Sequence, residues 1–504
     1  VSVSARDGKV KAELGDDPSR SGKYSIEFTL NNISDTGRYY DLDGSFFTQD
    51  LFTDTYRYMD TWTTFLNPSI AWFIDGDRFV TRKNGKLLFT PLLAILCLVF
   101  AVNSVFAARF CTQIFDENIK TLQILPNGES LMLPILELGS ADEIVISFDE
   151  LSYEASNFYY KIVHCDAYWN ESDLASMEYL DGFDGGMIDM YDYSVNTTVN
   201  YIHYTLQLPN DDVQLKLSGN YVVLIARDGD FENGVVATAC FSLVEPMVDI
   251  NVEMNGRTMK ELNGRYQAVA LDVMVEGVES RDKMQDFIVV VRQNNRLDNE
   301  AYLTRPTYVN GGRLRYKNRE ELIFEGGNQY RSIDFSSRYT YGGGIDHIEF
   351  DRDMYHVVLE ADASRANNKE AYAMDAHGGY VINLQKNNYP DTEADYMWVH
   401  FYYPADVPYL EGRMYIVGDL TQNLVDNKSE MIYDLSEKCY VRSLLLKQGG
   451  YNYVYALKAK NREELSVIQT EGSFWESRNR YDVMVYFRPF GARYDRLVGM
   501  RSVE

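Results

Sequence analysis

The sequence predicts an all-β protein built from tandem β-sandwich domains. Short runs of alternating apolar and polar residues recur with turn signals between them. No helical pattern lasts more than a few turns, and the 504 residues include 39 Tyr and 25 Phe, which favour strands. A chain of this length is enough for several domains of about 100–200 residues each.

An export signal is predicted inside the chain, at residues 81–107, and not at its start. Basic residues precede an almost unbroken apolar run at 87–102, and Val105-Phe106-Ala107 places small residues at the −3 and −1 positions of a signal-peptidase site. The run is shorter than the roughly 20 residues of a membrane-spanning helix, and Pro91 interrupts it. We therefore expect a signal-peptide helix cleaved after Ala107, with a signal anchor as the alternative.

Residues 1–80 are predicted to be a β-rich upstream or fused fragment. No Met lies between Met59 and Met132, and Val80 stands just before the basic residues, which is consistent with a valine start. In the stretch 21–50, Ile26 and Phe28 alternate with polar residues as in a strand. This stretch resembles the fibronectin-like β-domain of cell-envelope subtilisin-family proteases. The resemblance implies no proteolysis, because the sequence contains no protease domain.

The charge and the cysteines restrict the partners and the compartment. A formal net charge of −27 argues against binding to nucleic acid, whose phosphates require a basic face, and against binding anionic lipid by charge. An oxidising compartment would permit Cys165 and Cys240 to pair, although four cysteines after residue 107 are too few for a disulfide scaffold. The residues before Cys111 form no lipobox, so a lipid anchor is disfavoured.

Turn signals divide the exported part into three predicted domains. Residues 108–245 contain roughly seven strands, the number typical of a β-sandwich; Glu245-Pro246 then reads as a hinge, and 387–391 as a linker. The second domain is 246–390, with long loops expected at 310–345, and the third is 391–504. The predicted strands are 143–148, 158–163, 201–208, 220–226, 268–275, 287–292, 355–360, 379–384, 396–402, 413–417, 430–434, 440–446, 451–457 and 481–487.

Three groups of residues in the sequence are candidate catalytic or metal sites. His164-Cys165-Asp166 contains a thiol and a base, but neighbours on a strand point to opposite faces, so they cannot form a dyad. The acidic, glycine-rich stretch 179–186, with Asp189 and Asp192, offers oxygen ligands but lacks the EF-hand pattern and equally fits a chain reversal. His347, Glu349 and Asp351 share one face of a strand, where a solvated charged face is commoner than a metal site.

The sequence lacks the common catalytic, nucleotide-binding and metal-binding motifs, and this predicts that the protein is not an enzyme and holds no cofactor. His203, His356, His377 and His400 lie far apart in sequence, and no H-E-x-x-H motif exists. The G-x-S-x-G, G-x-x-x-x-G-K-[ST] and C-x-x-C motifs are also absent. We therefore assign no catalytic, cofactor-binding or metal-ligating residue, and expect no small-molecule substrate.

From Asn118 onward the chain resembles the plug protein family of the type IX secretion system, an export route across the outer membrane of certain Gram-negative bacteria. The resemblance implies a periplasmic β-protein, associated with the outer membrane, which seals the periplasmic mouth of a giant β-barrel translocon. The stretches that carry it are PILELGSADEIVISFDEL (134–151), FYYKIVHCDAYWNESDL (158–174), EYLDGF (178–183), NYIHYTLQLPN (200–210), LSGNYVVLI (217–225), LIFEGGNQYRSIDF (322–335), EADYMWVHFYYP (393–404) and EGSFWESRNRYDVMVYFRPFGARYDRLVG (471–499).

The third predicted domain also resembles the early-set glycogen-binding module, which implies immunoglobulin- or early-set-like sandwiches. MYIVGDL (414–420) and LKQGGYNYVY (446–455) carry this resemblance. Asn423 stands where a sugar-stacking tryptophan is common, and Tyr451, Tyr453 and Tyr455 are expected to pack. A periplasmic or surface glycan-binding protein is therefore the alternative function. The C-terminal block is expected to complete this third sandwich through Phe487, Tyr494 and Leu497, interleaved with Arg488, Arg493 and Arg496.

Overall fold

The regular structure in the computed structural model of this protein is almost entirely β, and most of its strand pairs are antiparallel. The structure describes residues 109–504, apart from 262–263, 369–374, 387–388 and 463, together with six strands within residues 1–108. The chain divides into two units, Val1–Ala108 and Arg109–Glu504. Among the described residues of 109–504, strands account for 47% and helices for 4%, which confirms the all-β prediction. None of the helices in the described part is both long and apolar enough to span a membrane.

The described residues of the N-terminal unit form two antiparallel sheets of three strands each. Its strands are β1 (Ser2–Arg6), β2 (Lys9–Glu13), β3 (Ser25–Thr29), β4 (Ile70–Asp75), β5 (Arg78–Lys83) and β6 (Lys86–Phe89). Strand β3 lies in the stretch 21–50 where alternation predicts a strand. Of the predicted signal segment 81–107, residues 81–83 and 86–89 belong to β5 and β6 and are not helical. The rest of that segment lies outside the described residues, so the helix and its cleavage site stay predictions.

The second unit begins with the strands of the first sandwich, all within the predicted domain 108–245. They are β7 (Gln113–Ile114), β8 (Ile119–Pro126), β9 (Ile135–Glu137), β10 (Ile144–Glu150), β11 (Phe158–Cys165), β12 (Leu180–Gly182), β13 (Gly185–Ile188), β14 (Met190–Tyr193), β15 (Ile202–Leu208), β16 (Val213–Leu215), β17 (Gly219–Arg227) and β18 (Val235–Val244), with the short helix α1 (Ser176–Tyr179).

Two sheets form the first sandwich. One has the order β14-β15-β10-β8, and the other has the order β13-β11-β17-β18-β7, with β9 added in parallel to β18. Along β15 every second residue is buried, as the alternation in IHYTLQL predicts. Phe148, Phe158 and Tyr204 pack in the core between the sheets, with ring centroids 4.9 to 5.2 Å apart.

The other strands of this unit build two further sandwiches. They are β19 (Asp249–Asn255), β20 (Tyr266–Met274), β21 (Phe287–Gln293), β22 (Ala301–Leu303), β23 (Tyr308–Asn310), β24 (Arg313–Tyr316), β25 (Ile323–Glu325), β26 (Arg331–Asp334), β27 (Ile345–Asp351), β28 (Met354–Leu359), β29 (Tyr380–Ile382), β30 (Tyr396–Pro404), β31 (Gly412–Val417), β32 (Glu430–Asp434), β33 (Cys439–Lys447), β34 (Gly449–Ala459), β35 (Leu465–Ser466), β36 (Tyr481–Phe487) and β37 (Arg496–Val503), with helix α2 (Pro390–Glu393) and 3₁₀ turns at Glu320–Leu322 and Asp419–Thr421.

The middle sandwich contains the C-terminal strands, which were expected in the third sandwich. Its first sheet has the order β19-β20-β24-β23, with β25 added to β20, and its second sheet has the order β22-β21-β36-β37. Phe487 lies opposite Phe287, with ring centroids 4.9 Å apart, and both are buried in one core. The C-terminal block therefore completes the middle sandwich, because β36 pairs with β21 in one sheet and packs in one core with β20 and β24 of the other sheet.

The third sandwich begins before the predicted linker at 387–391. Its strand order is β26-β34-β31-β32-β33-β30-β28-β27, with β29 and β35 added to β34. Strands β26 to β29 precede residue 390 but share their core with β30 to β34, so the boundary expected at 390 is wrong for this sandwich. The stretch 310–345, expected to form long loops, contains strands β24, β25 and β26.

Candidate functional site

His164, Cys165 and Asp166 lie at the end of β11 and have separate surroundings. The His164 ring is fully buried among the rings of Tyr179, Tyr221 and Tyr494, and its Nδ1 lies 3.0 Å from Ser172 Oγ. Burial lowers the pKa of His164 to about 4, so the ring is neutral at physiological pH. Burial raises the pKa of the Cys165 thiol, which disfavours the reactive thiolate.

The four described cysteines, Cys111, Cys165, Cys240 and Cys439, are free thiols. Cys165 and Cys240 belong to one apolar cluster with Val163 and Val222. Strand β17 separates their strands in the sheet, and no disulfide forms between them. Asp166 completes a turn, because its Oδ1 accepts hydrogen bonds from the N–H groups of Tyr168 and Asn170 at 2.8 and 2.9 Å.

The acidic stretch 179–192 forms β12, β13 and β14 together with the turns between them. Asp181, Asp184, Asp189 and Asp192 are all exposed. Gly182 has a φ of 108°, and a Cβ there would lie 2.0 Å from the carbonyl oxygen of Asp212, so only glycine fits this crossing. In the described part of the chain, no group of three or more His, Cys, Asp or Glu side chains could hold a metal ion.

His347, Glu349 and Asp351 lie on exposed strand β27, as expected for a solvated face. The nearest contact between them joins His347 Nε2 and Glu349 Oε2 at 3.9 Å. The structure brings together two other histidines that are 44 residues apart: the His356 and His400 rings stack, with Nδ1 of the first 2.9 Å from Nε2 of the second. Burial, with a smaller effect from His356, lowers the pKa of His400.

A buried ion pair joins the first and third sandwiches. Lys447 Nζ, on β33, lies 2.6 Å from Asp149 Oδ2, on β10, and the two side chains are 1% and 0% exposed. Lys447 Nζ also donates to the carbonyl oxygen of Asp391 at 2.6 Å and lies 4.2 Å from the centre of the Tyr201 ring. Sequence analysis missed this pair, because its members are 298 residues apart.

Neutral and basic groups complete the surroundings of Asp149. The Tyr396 hydroxyl donates to Asp149 Oδ2 at 2.6 Å, and His203 Nδ1 lies 2.7 Å from Asp149 Oδ1. Burial opposes ionisation, but the charge of Lys447 and the hydrogen bond of His203 hold the pKa of Asp149 below its ordinary value. Burial and the charge of Asp149 raise the pKa of Tyr396, so its hydroxyl remains a donor. The carboxylate is thus ionised and fully bonded.

A second buried carboxylate strengthens the same junction. Asp395 accepts hydrogen bonds from the N–H and hydroxyl groups of Thr198, at 2.9 and 2.7 Å, and from the N–H of Val199 at 3.1 Å. The Tyr201 hydroxyl donates to the carbonyl oxygen of Ala394 at 2.8 Å. These contacts connect the segment before β15 to the start of β30.

The junction between the first and middle sandwiches uses the C-terminal block. The Tyr486 hydroxyl donates to Asn220 Oδ1 at 2.8 Å, and Asp495 Oδ2 accepts the N–H of Ala167 at 2.9 Å. Leu497 is fully buried next to Ala167. Arginines of the same block pair with acidic residues of the first sandwich, in the pairs Arg493–Glu178 and Arg496–Glu245, each at 2.7 Å.

The middle and third sandwiches are joined through β35. Glu325, on β25, accepts the N–H of Val467 at 2.9 Å and the hydroxyl of Ser466 at 2.8 Å. Asp298 accepts the N–H of Leu465 at 2.8 Å and pairs with Arg296 at 2.7 Å. All three junctions therefore contain directional, mostly buried polar contacts, which fix the sandwiches relative to one another.

Comparison with known proteins identifies the family of this three-sandwich unit. Residues 119–245 match the family described as Type 9 secretion system plug protein 1st domain. The crystal structure of a hypothetical protein from Parabacteroides merdae ATCC 43184 is similar, with 37% sequence identity and a TM-score of 0.76 over 79% of this chain and 99% of that one. The chain belongs to the type IX secretion system plug protein family. None of the curated proteins matches it.

In this plug-family protein, the aromatic residues of the stretch that resembles a glycogen-binding module are buried. Tyr451, Tyr453 and Tyr455 are 4%, 2% and 0% exposed, so they pack as expected and present no face to a sugar. Asn423 is also buried, and its amide nitrogen lies 2.6 Å from the Asp419 carboxylate. A side chain at position 423 therefore points into the protein and not into a sugar groove.

Asn423 borders a cavity where the three sandwiches of the plug-family unit meet. The cavity has a volume of about 190 Å³ and is lined by residues of all three sandwiches, including Arg109, Arg292, Asp419 and Arg480. Asn423 Oδ1 is buried there without a hydrogen-bond partner among the described residues. The cavity has room for water, which would bond to this oxygen.

Proposed function

We propose that this protein is a non-enzymatic periplasmic plug, which seals the periplasmic opening of the outer-membrane translocon of the type IX secretion system. Its partner is the giant β-barrel of that translocon, and it is located in the periplasm in association with the outer membrane. Membership of the plug family supports a role in this export route. The net charge of −27 supports neither nucleic acid nor anionic lipid as a partner.

The observation that carries the proposal is the set of buried junctions, above all the pair between Asp149 and Lys447. A pore that is wide enough for folded proteins can be closed only by a body that excludes solute through its volume. Domains on flexible linkers would move apart in such an opening, because relative motion is the default for small domain interfaces. Sandwiches fixed by buried ion pairs and hydrogen bonds keep one shape.

Neither the candidate chemistry nor the alternative function finds support in the described residues. His164 is buried and neutral, and the pKa of the Cys165 thiol is raised, so the pair lacks the properties of an activated nucleophile. The tyrosines of the stretch that resembles a glycogen-binding module, Tyr451, Tyr453 and Tyr455, are buried and offer no stacking face to a sugar. Retention on a starch or glycogen column tests the glycan function directly, and we expect none.

Deletion of the gene tests sealing. We expect the deletion strain to become sensitive to vancomycin, which is too large for porins, while secretion persists at least in part. The wild-type protein should co-purify with the translocon barrel in detergent. The variant Cys165→Ala should restore the barrier as well as wild type does, because volume is insensitive to one small side chain. A deletion strain with an intact barrier, or a folded Cys165→Ala protein that fails to restore it, would contradict the proposal.

A further inference from the structure

We propose that the edge formed by β13 and β14 docks an extended segment of the translocon that carries apolar and basic residues. This inference rests on the proposed function and deepens it by naming the contact surface and the chemistry of its occupant. We call residues 183–195 the docking edge. Strand β13 ends one sheet of the first sandwich and β14 ends the other, with only Asp189 between them. Both sheet edges therefore open on the same side of the molecule.

The docking edge exposes large apolar side chains. Phe183 is 71% exposed, Met190 and Tyr193 are each 52% exposed, and Met187 is 47% exposed. Tyr191 is 43% exposed, and its ring lies 5.6 Å from that of buried Tyr204, so it extends the core to the surface. Exposed patches of this kind mark interaction sites more often than isolated apolar residues do.

The opposite edge of the same sheet is covered by the protein itself. On β8, the Leu122 carbonyl oxygen accepts the Tyr380 hydroxyl, and Thr121 Oγ1 lies 2.6 Å from the Tyr396 hydroxyl. In the described part of the chain no strand pairs with the outer side of β14. The part of the edge along β14 that no described strand covers ends at Val195, whose N–H donates to the Thr392 carbonyl oxygen at 2.8 Å. One edge is thus buried in the plug body, and the other is left with unpaired backbone groups.

The charge of the docking edge determines its occupant. The side chains of Asp184, Asp189 and Asp192 make no hydrogen bond or salt bridge with any described residue, whereas nearby Glu178 pairs with Arg493 at 2.7 Å. A second copy of this acidic chain would place Asp192 near another carboxylate, and like charges on paired strands are destabilising. An anionic membrane surface is disfavoured for the same reason. Lys or Arg residues on the occupant would neutralise these three aspartates.

An extended segment could bind both the unpaired backbone groups and the exposed side chains of β14. A strand added along β14 would pair with its outward N–H and C=O groups, which gives affinity. Its side chains would meet Met190 on one face and Tyr193 on the other, which gives specificity. The aspartates also prevent unwanted pairing of this edge with other copies, as charges on edge strands commonly do. The same residues thus reject self-association and select a basic partner.

Charge reversal tests the inference in the full-length protein. The double variant Asp189→Lys/Asp192→Lys should recover the translocon from detergent-solubilised outer membranes at least about tenfold less well than wild type, because like charges would face each other. The double variant Met190→Ser/Tyr193→Ser should be similarly weakened. The matched control is Asp249→Lys/Asp406→Lys, which makes the same change in net charge at two exposed aspartates elsewhere and should bind as wild type does. Thermal melting of each protein shows that it is folded.

The outcomes separate this inference from the proposed function. If the wild-type protein fails to recover the barrel, the plug function itself is wrong. If wild type binds and both docking-edge variants bind equally well, the plug function survives and the docking edge is refuted. A photo-crosslinker at position 193 in cells should link the protein to the barrel, whereas one at Tyr339, which is 88% exposed, should not. A crosslink from position 193 to a second copy would also overturn the inference.

Discussion

Replacing Lys447 by methionine removes one charge from the junction between the first and third sandwiches and keeps most of the side-chain volume. Lys447 is 1% exposed, and its ammonium group lies 2.6 Å from a carboxylate, Asp149, that is fully buried. In the variant, Asp149 keeps the Tyr396 hydroxyl and His203 but has lost its only neighbouring ammonium group among the described residues. Removing one partner of a buried pair leaves an uncompensated charge and is expected to cost about 3–5 kcal/mol of unfolding free energy.

This loss should depend on pH in a predictable direction. In the wild type the pKa of Asp149 is lowered, so its contribution to stability is present above the unfolded pKa and disappears as the pH falls through the folded value. In Lys447→Met, burial is no longer offset by the ammonium group, and the pKa of Asp149 should rise above its unfolded value. The variant then gains a proton on acidification, and its deficit relative to wild type should shrink between about pH 7.5 and pH 5.

Urea unfolding of both proteins at these two pH values measures the effect. Arg413→Met is the control, because Arg413 and Glu430 form an exposed pair at 3.0 Å, and its loss should cost less than about 1 kcal/mol at either pH. The double variant Asp149→Leu/Lys447→Met should recover part of the lost stability, since it removes the unpaired charge. A Lys447→Met protein that loses no more stability than the control, or whose deficit grows on acidification, would refute this reasoning.

Three further predictions follow from the described contacts. Phe487→Ala should cost about 3–5 kcal/mol by opening a cavity against Phe287, measured by chemical unfolding, whereas a loss below 1 kcal/mol would show the C-terminal strand to be dispensable. The pKa of His164 falls to about 4 in the folded protein, so on acidification the unfolded chain binds the proton first, and roughly 3 kcal/mol of unfolding free energy should be lost between pH 6.5 and 4. The variant His164→Asn should flatten this dependence of unfolding free energy on pH. An unchanged dependence would contradict the lowered pKa of His164. Gly182→Ala should lower the melting temperature, since its Cβ would meet the Asp212 carbonyl oxygen at 2.0 Å, and a stable variant would count against this crossing geometry.

The sequence predicted the strands well where one face of the strand is buried and the other is exposed to solvent. The run 201–208 alternates in sequence and corresponds to β15, which alternates in burial. The partner of each strand was not predictable in this way, because alternation shows which face of a strand is buried but not which other strand pairs with it. Strand β36 was assigned to the third sandwich for its position in the chain, yet Phe487 pairs with Phe287, 200 positions earlier. Only tertiary packing decides between two apolar faces of similar size.

The polar junctions were still less visible in the sequence. Asp149 and Glu150 end the apolar run of β10, and a pair of acidic residues on an otherwise buried strand was the only available signal. In the stretch 179–186, with Asp189 and Asp192, aspartates and glycines dominate the composition, so the sequence indicates a metal loop or a chain reversal. The exposed edge strand at 190–193 became visible only once β15 was seen to pair with it on one side.

The difference between the two edges of the first sandwich bears on how a plug could hold its shape and still be released. A stable protein interface usually buries about 1,200–2,000 Å² in total. Strand β14 spans only Met190–Tyr193, so contacts along it alone would fall well short of that area. Its attraction for a basic segment would also weaken with salt, because its aspartates are exposed. The Asp149–Lys447 junction is buried and is screened much less. Under the proposed function, competition by exported cargo would break the contact at the docking edge without loosening the Asp149–Lys447 junction.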